Sequence, residues 1–126
     1  MGFWRREVIE FALDYETRRQ VEEILEWIAR EPGNAQPYYQ LAQWKRTQGR
    51  REEALGLLLE AVRLDPGFAA AHTALAEMYA VAGDYEAAWR HARHAERTGD
   101  RRAVELLVRH KVPGGSRRES EGGDQR

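Results

Sequence analysis

Similar residues recur in this sequence at a spacing of 34 positions, and this period restricts the possible folds more than any other feature. The matching pairs are Pro32 and Pro66, Gly33 and Gly67, Leu41 and Leu75, Ala42 and Ala76, Gly49 and Gly83, Ala54 and Ala88, and Ala61 and Ala95. A period of this length is typical of units that bury their apolar faces by stacking on their neighbours. The 126 residues leave room for about three such units in one domain.

The repeated residue types indicate what each unit looks like. We expect alanines such as Ala42 and Ala76 where two helices cross, because larger side chains would force the backbones apart. Gly49 and Gly83 are expected in the turn after a helix, where the backbone commonly adopts a left-handed conformation. Pro66 ends one unit and helps to start the next helix. Each unit therefore reads as two helices joined by a short turn.

This pattern resembles the tetratricopeptide repeat family, whose units are pairs of helices with a 34-residue period. In the first clear unit the resemblance is carried by Tyr38, Leu41, Ala42, Gly49, Ala54, Leu58, Ala61 and Pro66, and in the second by His72, Leu75, Ala76, Tyr79, Gly83, Tyr85, Ala88, Ala92 and Ala95. It covers residues 35–98, with Lys45 and Arg51 standing where the family usually has aromatic residues. The resemblance implies an all-α solenoid of antiparallel helix pairs.

Residues 1–34 fit the period only near Pro32 and are interpreted as a degenerate repeat. We predict a first helix over about Phe3–Asp14, with Trp4, Val8, Phe11 and Tyr15 on one face. A capping box of Thr17 and Gln20 is expected to open a second helix that ends at Pro32. Because Gln20 and Trp27 occupy positions that the family gives to alanine, this unit should pack with wider helix spacing or differently.

Apolar periodicity predicts five more helices, four of which form the two clear units. They span about Gln36–Gln48, Arg51–Leu64, Ala69–Ala82, Tyr85–Thr98 and Arg101–Lys111. The last helix is expected to cover the apolar face of the final repeat, as solenoids require for solubility. The predicted domain is thus residues 1–112, with units at 1–34, 35–68 and 69–100 and a capping helix at 101–112. Residues 113–126 lack large apolar side chains and are expected to form a disordered tail.

Catalytic chemistry finds little support in the sequence. The chain has no cysteine, no glycine-rich phosphate loop and no nucleophile elbow, so we expect neither an enzyme nor a cofactor. His91 and His94 lie three positions apart on one predicted helix, a spacing that suits metal ligands. The arginine-rich stretch around them repels cations, so solvated histidines are the better interpretation. His72 matches a packed position of the repeat and is expected in the core.

The family resemblance implies that the first helix of each unit lines a concave groove for a peptide or helix of a partner protein. Tyr39 offers a flat anchor, and Gln40, Gln43 and Arg46 offer hydrogen bonds, so these four are the expected main contacts. The alternative is an ordinary solvated helix face. The predicted groove residues are Arg5, Arg6, Ile9, Ala12, Leu13, Gln36, Tyr39, Gln40, Gln43, Arg46, Thr47, Ala70, Thr73, Ala74, Glu77, Ala80 and Val81.

The net charge of −1 conceals a basic C-terminal third. A basic surface there suits an acidic protein, an anionic lipid or nucleic acid, and the alternative is an ordinary solvated helix face. Nucleic acid is disfavoured, because no aromatic residues interleave with the arginines and the overall charge is not basic. A second hypothesis is self-association, in which the acidic second helix (Glu22, Glu23 and Glu26) stacks head to tail on this basic end. The basic surface comprises Arg90, Arg93, Arg97, Arg101 and Arg102.

The start of the sequence mixes acidic residues among apolar ones, which does not fit a signal peptide. No apolar run approaches the ~20 residues that a membrane-spanning helix needs. We therefore expect a cytoplasmic adaptor, assembly factor or chaperone-like scaffold that binds another protein.

Overall fold

A computed structural model describes the backbone of residues 2–114 and the side chains of residues 14–114. All regular secondary structure in this part of the chain is helical, as predicted. The predicted disordered tail falls mostly on residues 115–126, which lie outside the described residues. The helices are α1 (Gly2–Arg30), α2 (Ala35–Thr47), α3 (Arg51–Leu64), α4 (Ala69–Ala82), α5 (Tyr85–Arg97) and α6 (Arg102–Arg109).

The prediction of two helices in the first unit was wrong, because α1 runs without a break for 29 residues. Thr17 lies inside this helix and opens no second one, so the expected capping box does not form. No glycine or proline occurs between positions 3 and 31 to end the helix. Ion pairs instead join successive turns across the expected break, from Arg18 to Asp14 at 3.3 Å and from Arg19 to Glu16 at 3.1 Å.

The predicted helices of the two clear units are confirmed to within one residue at each end. The Asn34 side chain accepts a hydrogen bond from the backbone N–H of Gln36 at 3.0 Å and so caps the start of α2. Gly49 and Gly83 follow α2 and α4 with φ of 77° and 86°, the left-handed conformation expected of them. Turn residues therefore fix where these helices stop.

Buried alanines let the helices approach closely. Helix α2 packs on α3, α4 packs on α5, and α3 also contacts α4, while α1 contacts α2. These contacts bring the alanine methyl groups between helices, where no larger side chain would fit without separating them. The alanines that are 0% exposed are Ala42, Ala54, Ala61, Ala71, Ala76, Ala88, Ala92 and Ala95.

Helix α6 covers the end of the stack, as expected of a capping helix. Its Ala103 and Leu107 are each 1% exposed and join the core formed by α4 and α5. The chain beyond α6 also returns to α5, because Trp89 Nε1 donates a hydrogen bond to the Val112 carbonyl at 3.2 Å. Gly114 lies so close to Trp89 that an added Cβ atom would be 2.7 Å from the indole ring. Val112 and Gly114 thus contact Trp89, whereas Gly114 was predicted to belong to the tail.

None of the described helices is both long and apolar enough to cross a membrane.

Candidate interaction groove

A groove of ≈ 730 Å³ lies between the C-terminal ends of α2 and α4 and the helix α6. We call it the α4–α6 groove. Its volume falls in the range of sites that bind small ligands or anchoring side chains. It is lined by Arg46, Gly49, Arg51, Glu77, Met78, Ala80, Val81, Tyr85, Leu106, Leu107, His110 and Val112.

The repeat itself explains why α6 lines this groove. Helix α6 begins 33 residues after α4, so it takes the place that the first helix of another unit would occupy. The floor that it shares with α4 is apolar. Val81 is 73% exposed and Tyr85 41% exposed, beside the half-buried Leu106 and the buried Met78. Large apolar side chains left open in a concave position are typical of an interaction site.

Charged side chains hold one rim of the groove in place. Arg46 on α2 contacts Glu77 on α4 through an Nη2–Oε1 distance of 3.4 Å. It also donates from Nη1 to the side-chain oxygen of Gln43 at 3.3 Å. Such part-exposed pairs add little stability, but they orient the side chains that a partner would meet. Of the predicted groove residues, the structure brings Arg46, Glu77, Ala80 and Val81 to this groove, with Gln43 beside them.

Two of the expected main contacts lie elsewhere. The Tyr39 ring packs against Phe68 with 5.2 Å between ring centroids and is partly buried against the core. Gln40 lines a separate groove between α1 and α2. Neither residue lines the α4–α6 groove.

The structure also buries two predicted groove residues on α4. Thr73 is 6% exposed and Ala74 3% exposed, so neither presents a surface to a ligand. The Thr73 hydroxyl donates to Asp100 Oδ2 at 2.9 Å, because the turn before α6 folds over this part of α4. The sequence analysis did not predict that this turn packs over Thr73, because it placed α6 only at the end of the stack.

The remaining predicted groove residues vary in position. Gln36 and Thr47 are exposed on α2 and lie outside the α4–α6 groove, and Ala70 is half-buried on α4. The side chains predicted to line the groove from the first unit, among them Arg5 and Ile9, belong to residues whose side chains lie outside the described part. Their role stays a prediction.

Asp100 fixes the start of α6 relative to α4. Its Oδ1 accepts from the backbone N–H of Arg102 at 3.0 Å, and its Oδ2 accepts from Arg102 Nη2 at 2.8 Å. These bonds, first those from the Arg102 side chain, keep the pKa of Asp100 well below its ordinary value. The carboxylate therefore stays charged and joins α6 to Thr73.

Two of the five arginines predicted to form a basic surface are engaged in ion pairs. Arg102 pairs with Asp100, and Arg101 lies 3.5 Å from Glu96. Arg90 and Arg97 are exposed on α5. Arg93 is half-buried and makes contacts of its own. The charge of this region is thus lower than its arginine content suggests.

Three histidines and a tyrosine stack between α4 and α5. The His72 ring lies parallel to that of His94, at 4.8 Å between centroids, and Tyr79 lies parallel to His91 at 5.6 Å. His72 Nε2 must donate to the Pro66 carbonyl at 2.8 Å, since a carbonyl only accepts. Its Nδ1 is therefore an acceptor when the ring is neutral. His91 Nδ1, 3.0 Å away, is the donor to it.

These histidines are packed rather than arranged around a metal. His72 is 4% and His91 8% exposed, which confirms the expectation of a core position for His72. Burial, followed by the charges of His72, Arg90 and His94, lowers the pKa of His91 to about 4. Within the part of the chain that the structure describes, no three His, Cys, Asp or Glu residues converge as a metal site would require.

Helix pairs stacked at a fixed period, with an open groove on one side, define a helical-repeat protein of the kind that binds other macromolecules. The family model for the tetratricopeptide repeat matches residues 15–95, and the chain belongs to this family. The match begins within α1, two residues before Thr17, where the second helix of the first unit was predicted to start.

Among solved structures, the chain is similar to the crystal structure of MamA, with a TM-score of 0.62 and 21% sequence identity. The alignment covers 75% of this chain and 54% of MamA, so the chain spans about half the length of that protein. At this identity the similarity shows the fold alone. No curated protein sequence matches the chain.

Proposed function

We propose that the protein binds a short segment of a partner protein in the α4–α6 groove and acts as an adaptor or assembly factor. The observation that carries this proposal is the open apolar floor of Val81, Tyr85 and Leu106 beside the ordered pair of Arg46 and Glu77. Apolar side chains of the segment would fill the floor. The charged rim would fix its direction and its backbone contacts.

The size of the groove sets the affinity that we expect. A segment in this groove buries less surface than a standard protein interface, so dissociation constants should be in the micromolar range. A helix with apolar residues at spacings of three and four positions is the best-fitting occupant, because the groove runs between two helices. Catalysis forms no part of this proposal, since the tetratricopeptide repeat is an interaction fold.

Selection of linear peptides from a displayed library tests the proposal. Peptides enriched on the purified protein should lose at least about tenfold in affinity for Val81→Arg, because the new charge would sit on the apolar floor. Val108→Arg is the matched control, since Val108 is also strongly exposed, at 62%, and does not line the groove. Equal binding to both variants and the unchanged protein would contradict the proposal.

The second hypothesis, head-to-tail stacking of acidic and basic ends, gains no support from the arginine contacts. Arg101 and Arg102 already pair with Glu96 and Asp100 within the chain. Stacking of this kind would produce open chains that dissociate at high salt. Light scattering that gave one mass at low and high salt would exclude it.

A further inference from the structure

A second groove lies between α1 and α2, away from the α4–α6 groove. Its volume is ≈ 440 Å³, and we call it the α1–α2 groove. Helix α1 supplies five of its side chains and α2 supplies two. They are Gln20, Glu23, Ile24, Trp27, Arg30, Gln40 and Trp44.

The repeat identifies what is absent from this groove. Each of its seven residues has an equivalent 34 positions later, and every equivalent belongs to the core cluster between α2, α3 and α4. A surface that is a packed interior in one unit is thus an open groove in the unit before it. The seven equivalents are Ala54, Leu57, Leu58, Ala61, Leu64, Ala74 and Met78.

In the complete unit, this interior is closed by α2. Ala35, Tyr38, Tyr39 and Ala42 of that helix all pack into the same cluster. The segment 34 positions before α2 is residues 1–13, of which residues 2–13 form the N-terminal half of α1. Since α1 is continuous, this half points away along the helix axis instead of folding back. The α1–α2 groove is therefore a helix-binding surface that the N-terminal half of α1 would fill in a complete unit, but that it does not occupy within one chain.

We propose that residues 2–13 of a second copy of the chain fill the α1–α2 groove, in a reciprocal exchange that makes a closed dimer. Twelve helical residues extend roughly 18 Å beyond Asp14 at about 1.5 Å per residue, which is enough to reach across to another molecule. Folding back within one chain would require breaking α1, whereas exchange leaves the helix intact. Exchange of identical elements gives a two-fold interface, which closes.

The chemistry of the two surfaces suits this exchange. The segment carries Trp4, Val8 and Phe11 at helical spacing, and the groove offers the apolar side chains of Trp27 and Trp44. Both also carry charges of both signs. The groove includes Glu23 and Arg30, and the segment includes Arg5, Arg6, Glu7 and Glu10. A mixed surface of this kind matches a helix that is apolar on one face, and it differs from the acid-on-base stacking considered above.

A change of turn tests the proposal directly. Asp14, Tyr15 and Glu16 lie 34 positions before Gln48, Gly49 and Arg50, the turn that joins α2 to α3. The triple variant Asp14→Gln, Tyr15→Gly and Glu16→Arg should let the N-terminal helix fold back into its own groove. The unchanged protein should have twice the mass of one chain by light scattering, and the variant the mass of one chain. Replacing the same three residues with alanine keeps the helix and should keep the dimer.

Cross-linking gives a second test, because the chain contains no cysteine. Val8 and Gln20 are the equivalents of Ala42 and Ala54, which lie in one core. A tagged Val8→Cys chain refolded with an untagged Gln20→Cys chain should form a disulfide-linked product of mixed size. Within one continuous helix the two positions are about 18 Å apart, too far for a disulfide.

The pair Val8→Cys and Val108→Cys is the control and should give no such product. A wild-type mass of one chain at every concentration would overturn the proposal. So would a Val8→Cys, Gln20→Cys chain that forms the disulfide only within itself. Peptide binding at the α4–α6 groove is measured separately, so either proposal can fail without the other.

Discussion

Alanine residues at the helix crossings decide how closely the units of this protein stack. Ala42 and Ala54 are fully buried between α2 and α3, and Ala76 and Ala88 are fully buried between α4 and α5. In the first unit the position equivalent to Ala54 is Gln20, which is only half-buried. A polar and longer side chain at this position sets a wider spacing for any helix that packs on α1 there than alanine sets in the later units.

His91 should make the stability of the protein depend on pH. Its pKa is lowered from 6.5 to about 4, so the unfolded chain binds more protons than the folded chain between these values. The free energy of unfolding should therefore be highest above pH 6.5 and fall as the pH decreases toward 4. Allowing for partial solvent screening, we expect a loss of about 1–2 kcal/mol between pH 7 and 5.

Urea unfolding at a series of pH values measures this loss. His110→Ala is a suitable control, because it removes an exposed histidine that lies outside the stack of His72, His91 and His94. His91→Leu should flatten the curve in the same window, although it leaves His72 Nδ1 without its donor and lowers stability throughout. A wild-type free energy of unfolding that stayed constant from pH 7 to 5 would refute the prediction.

At the level of helices, the sequence predicted α2 to α5 closely because their ends are encoded locally. Gly49, Gly83 and Asn34 each dictate a turn or a cap, and Pro32 and Pro66 separate the units. Helix α1 was predicted wrongly because the inference of a break came from the repeat alone. No local residue enforced it.

The sequence predicted only part of the lining of the α4–α6 groove, because only α2 and α4 belong to the clear units of the repeat. Arg46, Glu77 and Val81 follow from the register of the repeat on α2 and α4. Leu106 and His110 were missed, because α6 had been assigned only a covering role. Helix α6 starts 33 residues after α4 starts. This spacing, close to the repeat period, indicates that α6 occupies the position of the first helix of a further unit.

The Asp100 side chain should contribute more to the free energy of unfolding than an ordinary helix cap does. It caps α6 through the Arg102 backbone and also accepts a bond from buried Thr73, whereas Asp84 makes one capping bond to Ala87 at 3.2 Å. We expect Asp100→Ala to cost about 2–3 kcal/mol and Asp84→Ala about 1 kcal/mol. Chemical denaturation of the two variants measures the difference. Equal costs would show that the bond between Thr73 and Asp100 contributes nothing.

The whole molecule is a linear stack in which each helix pair depends on its neighbours. Such a stack has two ends, and each must be covered or occupied. At the C-terminal end α6 covers the core of α4 and α5. At the other end, the α1–α2 groove leaves open the surface that is equivalent to the core between α2, α3 and α4. This asymmetry places the two proposed interactions on different parts of the chain.

Removal of α6 should therefore destabilise the stack and abolish the α4–α6 groove together. A chain ending at Asp100 exposes Trp89 and Ala76 and loses the burial of Leu107, for which we expect a cost of about 3–5 kcal/mol. A chain ending at Gly114 retains these contacts and is the matched control. The shorter chain should unfold at a lower temperature and should not bind peptide. The longer chain should keep both its unfolding temperature and its peptide binding. If the shorter chain unfolded at the same temperature as the control, α6 would contribute nothing to the stability of the stack. The binding groove would then have to be formed by α2 and α4 alone.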